Sequence, residues 1–367
     1  MISKSRQRRK RSQAAAPAPR ASAPGRRRTG SFGPRAAAHA VVRKKERTAA
    51  EPGGLVNTAE VAAEGQSRTD VTINGRKLTL SNLGKVLYPK AGFTKSQVID
   101  YYARVARFLL PHLHDRPLTL KRYPDGVEGF YFYEKRCPSS RPDWLKTAPI
   151  WSERKKEKIS FCLANDLPSL IWAANLADLE LHTSLARYQQ PERPTVLVFD
   201  LDPGPGVDVL DCAEVALWLR EFLLKRRLES FPKTSGSKGL QVYAPLNTPA
   251  TFEQTKAFAR HVADQLTSAH PERVIQRMEK RLRTDRIFID WSQNDSHKTT
   301  ICVYSLRAME RPTVSTPLTW DEVSNAASRT SGFRPSFETE QALQRIETMG
   351  DLFEPVLKMK QKLPQSL

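Results

Sequence analysis

Val196-Leu-Val-Phe-Asp200-Leu-Asp202-Pro-Gly-Pro-Gly206 decides how the rest of this chain is read. Successive side chains of a strand point to opposite faces. Val196, Val198, Asp200 and Asp202 therefore share one face, and Leu197, Phe199 and Leu201 share the other. Two carboxylates stand side by side at the end of an apolar strand, just ahead of a stiff Pro/Gly turn. Like charges crowded there are costly without a cation, and oxygen donors favour Mg²⁺ or Mn²⁺. A second apolar run, Ile287-Phe-Ile-Asp290, also ends in an acid. Three carboxylates at the ends of two apolar strands suit a two-metal phosphoryl-transfer site.

The segments around that stretch alternate between strand and helix patterns. Val71–Leu80 reads as two short strands about an Asn74-Gly75 turn. Thr94 caps a helix carried by Val98, Tyr102, Val105 and Leu109, with Pro111 marking its end. A second helix is expected over Pro168–Leu179. Then follow a strand at Thr195–Asp202, a helix at Asp208–Leu228, a strand at Gly239–Leu246, a helix at Phe252–Thr267 and a strand at Ile287–Trp291. Residues 322–330 and 337–361 read as peripheral helices. The pattern predicts an α+β fold, with mixed or antiparallel sheets and flanking helices.

Composition narrows the function classes. The chain has 367 residues, 39% of them apolar, enough for a sizeable core. No stretch approaches the roughly 18 apolar residues of a spanning helix, so no membrane association is expected. Its 59 Lys and Arg against 39 Asp and Glu give a net charge of +20, a field that favours polyanions. Of the first 70 residues 16 are basic and 5 acidic, and the body keeps a basic excess of its own. Residues 1–68 read as a disordered basic arm with sequence-blind affinity for DNA, 69–350 as a catalytic domain and 351–367 as a helical or flexible tail. The four cysteines, Cys137, Cys162, Cys212 and Cys302, include no C-x-x-C pair and read as reduced, buried thiols of a cytoplasmic, nucleoid-associated protein.

Lys233-Thr-Ser235-Gly236-Ser237-Lys238-Gly239 precedes the strand Leu240-Gln-Val-Tyr-Ala. Its glycines let backbone N–H groups approach an anion, and Lys238 adds charge. The spacing is not that of a Walker A loop. Between two acid-bearing strands it reads as a triphosphate cradle. The acids alone also fit haloacid-dehalogenase-type phosphatases, which usually continue Gly-Thr or Gly-Val where Pro203-Gly204 stands here, and metal-dependent glycosyltransferases. Neither accounts for the loop.

Taken together, Phe199-Asp-Leu-Asp-Pro-Gly, Thr234-Ser-Gly-Ser-Lys-Gly-Leu and Ile289-Asp-Trp-Ser-Gln-Asn resemble the polymerase domain of bacterial DNA ligase D, of the archaeo-eukaryotic primase superfamily. Arg116-Pro-Leu-Thr-Leu-Lys-Arg-Tyr-Pro-Asp-Gly126, Glu180-Leu-His182, Tyr304-Ser-Leu-Arg307 and Ser315-Thr-Pro-Leu-Thr-Trp320 agree, over residues 71 to 345. The resemblance implies a primase-polymerase core with an RRM-like half. It implies Asp200, Asp202 and Asp290 as metal-binding catalytic acids using Mn²⁺ or Mg²⁺. Lys121, His182, Ser235, Lys238, Gln241, Arg283, Gln293 and Arg307 would face an NTP or dNTP. Lys85 and Lys95 would grip a DNA 5′-phosphate, and Phe132 and Tyr133 would stack near templating bases. Gln241 stands where the family commonly has histidine. Glutamine can donate to a phosphate oxygen but carries no charge. The resemblance further implies gap filling and 3′-end extension at double-strand breaks, a preference for ribonucleotides, and Ku and a separate ligase as partners. A stand-alone polymerase is expected, since nothing resembles a ligase or nuclease module. A non-catalytic binder of 5′-phosphate ends and a primer-independent primase are the alternative readings.

Overall fold

The computed structural model describes residues 68–153 and 155–364, and residues 1–67 of the expected arm lie outside them. A hairpin opens the described chain, β1 (Arg68–Ile73) and β2 (Arg76–Ser81), turned at Asn74 and Gly75, both at positive φ. Two-residue hairpin turns require that conformation. A small pair, β3 (Val86–Tyr88) and β4 (Phe93–Thr94), leads into α1 (Lys95–Leu113), where Thr94 and Gln97 form a capping box. Pro111 does not end α1; it sits within the last turn. His112 and Leu113 are buried just beyond it, and that burial carries the helix past the proline.

Next come β5 (Leu118–Arg122), β6 (Phe132–Glu134), β7 (Thr147–Ser152), β8 (Glu157–Cys162), α2 (Leu167–Asn175) and β9 (Asp178–Thr183). The predicted extension of α2 to Leu179 fails because Ala177 takes a left-handed backbone, after which the apolar run continues as a buried strand. The rest is β10 (Val196–Pro203), α3 (Val209–Leu224), β11 (Phe231–Thr234), β12 (Leu240–Pro245), α4 (Phe252–Ala269), β13 (Val274–Ile275), β14 (Ile287–Asp290), β15 (Thr300–Ile301), α5 (Trp320–Ser328), α6 (Thr339–Met349) and α7 (Glu354–Lys358).

Two sheets organise these elements. One has the order β11-β12-β10-β14-β13, antiparallel except for the β13/β14 pair. The other has the order β15-β9-β5-β8-β7, with β6 also paired to β5. The fold is α+β. Helices α5 to α7 are not peripheral: Val323, Ala326, Ile346, Phe353 and Val356 belong to the core. The 351–367 segment is tied to the body as far as Gln361, whose N–H donates to Leu246 O at 2.8 Å.

The cysteine reading is corrected in part. Cys137 and Cys162 form a disulfide, their Cα atoms 4.9 Å apart, whereas Cys212 and Cys302 are free and buried. Linear spacing does not reveal this pair. The sheet creates it, through a 2.7 Å bond from Cys137 N–H to Ser160 O on β8.

One side chain completes the central sheet. β14 pairs with β10 only over Asp200–Pro203, which leaves Val198 without a strand on that side. Buried Asn294 replaces it. Val198 N–H donates to Asn294 Oδ1 at 2.9 Å, and Asn294 Nδ2 donates to Val198 O at 2.6 Å and to Trp291 O at 3.1 Å. Asn294→Ala leaves both Val198 groups buried and unpaired, so it should cost about 2 kcal/mol. Urea denaturation reads this directly, and a change under about 0.5 kcal/mol would mean that the lost bonds are replaced.

Candidate active site

β10 lies between β12 and β14, and the register sets Asp200 opposite Gln241 on one side and opposite Asp290 on the other. Directly opposed residues project to the same face. Asp200, Asp202 and Asp290 therefore share one face of the sheet. Asp290 is buried, while Asp200 and Asp202 keep partial exposure. Burial first, and then the charges of Asp202 and Asp290, push Asp200 up to about 7, against an opposing hydrogen bond from Gln241 and the charge of Lys233. Asp202 is raised by burial and by Asp290, with Arg283 and Arg307 opposing.

Among the described residues no ion pair holds any of the three acids. Nor do any three His, Cys, Asp or Glu side chains there already stand so as to hold a metal ion. Asp290 is held by its own turn. Its Oδ1 accepts from Ser292 N at 3.0 Å and from Ser292 Oγ at 2.5 Å, and its Oδ2 accepts from Gln293 Nε2 at 3.2 Å. The set still fits a divalent cation in donor chemistry and in charge: carboxylate oxygens, crowded and uncompensated. The buried, unpartnered Gln293 Oε1 is a further oxygen beside them.

The 235–239 loop closes beside β10. Ser235 Oγ accepts from Ser237 N at 3.2 Å and from Gly239 N at 3.1 Å, and Ser235 N donates to Gly239 O at 2.9 Å. A Cβ on Gly239 would lie 2.0 Å from Leu201 O, so only glycine lets the loop come this near the acid strand. Arg307 Nη1 donates to Ser235 O at 2.6 Å and holds the loop from outside. Lys238 is exposed. Arg283 lies over the Phe288 ring at 3.6 Å and donates to Met278 O at 2.8 Å.

Gln241 is enclosed. Its Oε1 accepts from Lys233 Nζ at 2.6 Å, and its Nε2 donates to Thr300 Oγ1 at 3.3 Å. Lys233, fully buried, also donates to Ser315 Oγ at 2.6 Å. Burial lowers its ammonium to about 7, although Cys302 and Asp200 act in the opposite direction. Sequence reasoning quoted Lys233 as part of the loop but gave it no role.

Lys121, His182 and Arg307 meet around Glu180, which was quoted as a landmark without a function. Lys121 Nζ donates to Glu180 Oε2 at 2.8 Å, and His182 Nε2 lies 3.0 Å from the same oxygen. Lys121 is also caged by the rings of Tyr123, Tyr131 and Tyr133, at 5.3, 5.0 and 5.5 Å. Phe132 and Tyr133 are neighbours in β6 and face opposite ways. Tyr133 packs on His182, and Phe132 packs on Phe130 and Arg122. Only Tyr133 joins the Lys121 cluster.

Lys85 and Lys95 come together where Lys95 N donates to Lys85 O at 2.8 Å. Lys95 opens α1, so the two lysines are joined through their backbones at a helix N-terminus, an end that favours anions. Lys95 is buried and donates to Ser81 O at 2.6 Å; burial, then Lys85 and Arg122, lower it to about 8. Lys85 pairs with Asp125 at 3.0 Å on the surface.

This geometry has known counterparts. The family model for the LigD primase-polymerase domain matches residues 94–353. The "Multifunctional non-homologous end joining protein LigD" of Mycolicibacterium smegmatis is 40% identical over 282 residues, covering 76% of this chain and 36% of that protein. The "Bifunctional non-homologous end joining protein LigD" of Bacillus subtilis is 33% identical over 276 residues, covering 75% of this chain and 43% of that protein. The chain thus spans well under half the length of these relatives. The solved "Polymerase Domain from Mycobacterium tuberculosis Ligase D in complex with DNA" is similar at a TM-score of 0.71 and 39% identity, over 77% of this chain and 99% of that one. Acid strands, glycine loop and matching relatives lead to one assignment: the chain belongs to the LigD primase-polymerase domain family.

Proposed function

We propose that the chain is a template-directed nucleotidyltransferase that fills gaps and extends 3′ ends at DNA double-strand breaks in non-homologous end joining. It would use NTPs or dNTPs with Mn²⁺ or Mg²⁺, and work with Ku and a DNA ligase activity. The observation that carries the reading is the juxtaposition of Asp200, Asp202 and Asp290 with the glycine loop, joined by Arg307. The relatives' names and the DNA complex of the solved domain support broken DNA as the substrate. So does a cleft of about 700 Å³ beside Tyr133, lined by Lys135, Arg136, Arg141 and Lys155.

Asp200 and Asp202 would hold the divalent ions, joined by Asp290 once Ser292 and Gln293 release it. Bound there, the ions would supply Lewis-acid charge at the attacking hydroxyl and at the leaving pyrophosphate. The chain's own groups bind and orient the triphosphate. Lys238 and the loop hold its phosphates, and Arg307, Lys121 and His182 flank it. The primer 3′-hydroxyl oxygen then bonds to the α-phosphorus and gives its proton to solvent, the bond from that phosphorus to the oxygen bridging to the β-phosphate breaks, and pyrophosphate leaves with that oxygen.

A gapped duplex with a 5′-phosphate tests the reading, with either metal and with ribo- and deoxyribonucleotides compared. Templated extension to the gap's length is expected. Tight binding without incorporation would favour an end-binding module, and synthesis on unprimed single strands a primase. Lys85→Ala should abolish the preference for a 5′-phosphate. Asp125→Asn should strengthen it, since the amine no longer has to leave a carboxylate. An exposed pair is worth up to about 1 kcal/mol, so the gain should be at most about fivefold. Equal affinity for phosphorylated and unphosphorylated ends in the parent would remove Lys85 and Lys95 from this role.

A further inference from the structure

We propose that Glu180 is the positioning residue of the nucleotide pocket, a buried carboxylate that gathers Lys121 of β5, His182 of its own strand β9 and Arg307 of the loop after β15 into one fan. The inference deepens the functional reading above and rests on it. Glu180 is 2% exposed, and both of its oxygens are engaged. Oε2 takes Lys121 from β5 at 2.8 Å and His182 from β9 itself at 3.0 Å. Oε1 accepts from Ala308 N at 3.0 Å, and Arg307 Nε lies 3.3 Å away, within ion-pair distance but not aligned as a hydrogen bond. The carboxylate therefore fixes both the Arg307 guanidinium and the backbone that carries it. Tyr88 braces the same backbone by donating to Arg307 O at 3.0 Å. Arg307 in turn holds Ser235 O, so the contacts run unbroken from Lys121 to the glycine loop.

Attraction for a triphosphate does not explain a carboxylate here. Lys121 and Arg307 are the two permanent cations beside Glu180, and its carboxylate offsets one of them. Burial holds His182 below its ordinary value despite Glu180, so the ring adds no full charge near pH 7. A pocket built for charge alone would omit Glu180. What the carboxylate supplies is order: long Lys and Arg side chains lose much rotamer freedom on binding, and Glu180 removes that freedom in advance. It also selects the His182 tautomer, because Nε2 must carry the proton that faces a carboxylate.

The two roles give opposite signs for Glu180→Gln, which keeps the shape and removes the charge. If Glu180 is only a counter-charge, the variant binds nucleotide more tightly. As a positioning residue, its loss splays the cations despite a more positive pocket. ATP affinity, measured calorimetrically without primer, should then fall about tenfold, with kcat/KM falling at least as far. Affinity for a 5′-phosphorylated duplex end, read at the separate Lys85 and Lys95 site, should stay at the parental value. Unchanged or tighter ATP binding overturns the proposal. Should Glu180→Gln fail to fold, Glu180→Asp is read by the same criteria, and failure of both to fold marks the residue as structural and ends the proposal. A parent that neither binds ATP nor extends a primer refutes the functional reading itself. A competent parent matched by Glu180→Gln refutes only the role of Glu180.

Discussion

Asp200→Asn should give a protein that is more stable in EDTA than its parent and unable to incorporate nucleotide. The activity loss should be at least about 10³-fold, the scale on which removal of a charge that stabilises a transition state is felt. The stability gain follows from crowding. Asp200 is raised to about 7 by burial and by Asp202 and Asp290, whereas the unfolded chain titrates this residue near the ordinary value of 3.8. Between those values the folded protein holds a proton that the unfolded chain has lost. The parent's stability from this group is therefore complete below pH 3.8 and is lost as the pH rises through about 7. Asn carries no charge to repel. The advantage of Asp200→Asn should grow from about pH 4 to about pH 7 and then level off, reaching on the order of 4 kcal/mol. Thermal melts across that range in EDTA, beside primer extension at pH 8, check both halves. A variant that is less stable than the parent at pH 8 would mean that the acids are not in conflict. One that still extends primers would take the chemistry elsewhere.

That prediction concerns the part of the molecule that is most legible in its sequence. β10 and β14 are uninterrupted apolar strands that end in acids, and the Pro/Gly turn after Asp202 leaves few alternatives. Strict alternation puts Asp200 and Asp202 on one face, and a single pairing register adds Asp290. The glycine loop was legible for the same local reason. The second sheet was not. β5 and β9 carry Lys121, Asp178, Glu180 and His182 at their ends and middles, which erases the apolar alternation that marks a strand. β3, β4, β13 and β15 are two or three residues long, too short for any periodicity. Apart from His182, two residues along the same strand, the fan around Glu180 is assembled across gaps of dozens of residues: Lys121 comes by pairing of β5 with β9 and Arg307 from a loop. Similarly, the aromatic run Phe130–Tyr133 could not show which ring faces the pocket until β6 was paired with β5.

Gln241 marks where a local reading stops being sufficient. Read from the sequence, it could donate to a phosphate oxygen. In the fold it is 2% exposed, with Lys233 on its carbonyl and Thr300 on its amide. Its amide orientation is thereby set, and the N–H side is the one available to Asp200, whose carboxylate it favours in the charged form. Here a neutral amide is locked by a buried amine that lies eight residues earlier. Lys233 thus supports the acid strand and the start of the 235–239 loop together, since its second bond, to Ser315 Oγ, lies next to the bond from that hydroxyl to Thr234 O at 2.8 Å.

Lys233→Met should therefore cost about 100-fold in nucleotide incorporation, equivalent to about 2.7 kcal/mol. Gln241 Oε1 and Ser315 Oγ lose a donor where neither is exposed, and Asp200 loses the Lys233 charge that opposes its crowding when the amine is protonated. The stability change should depend on pH in the opposite sense to that of Asp200→Asn. Lys233 is lowered to about 7 from 10.5. Across that window the unfolded chain binds a proton that the folded protein releases, so the parent gains stability as the pH rises from about 7 to 10.5. Below about 7 both forms are protonated and the buried charge is carried at full cost. Met titrates nowhere, so the variant's stability relative to the parent should be highest at or below pH 7. It should fall by on the order of 4 kcal/mol towards pH 10.5. The lost hydrogen bonds shift that whole difference curve downward without bending it, so its slope rather than its height is the test. The acid limb from Asp200 and the alkaline limb from Lys233 meet near pH 7, which makes the pair's contribution to the parent in EDTA lowest there. A flat difference between Lys233→Met and the parent from pH 7 to 10 would show that the amine keeps its proton throughout. The locked amide of Gln241 would then be held by a permanent cation.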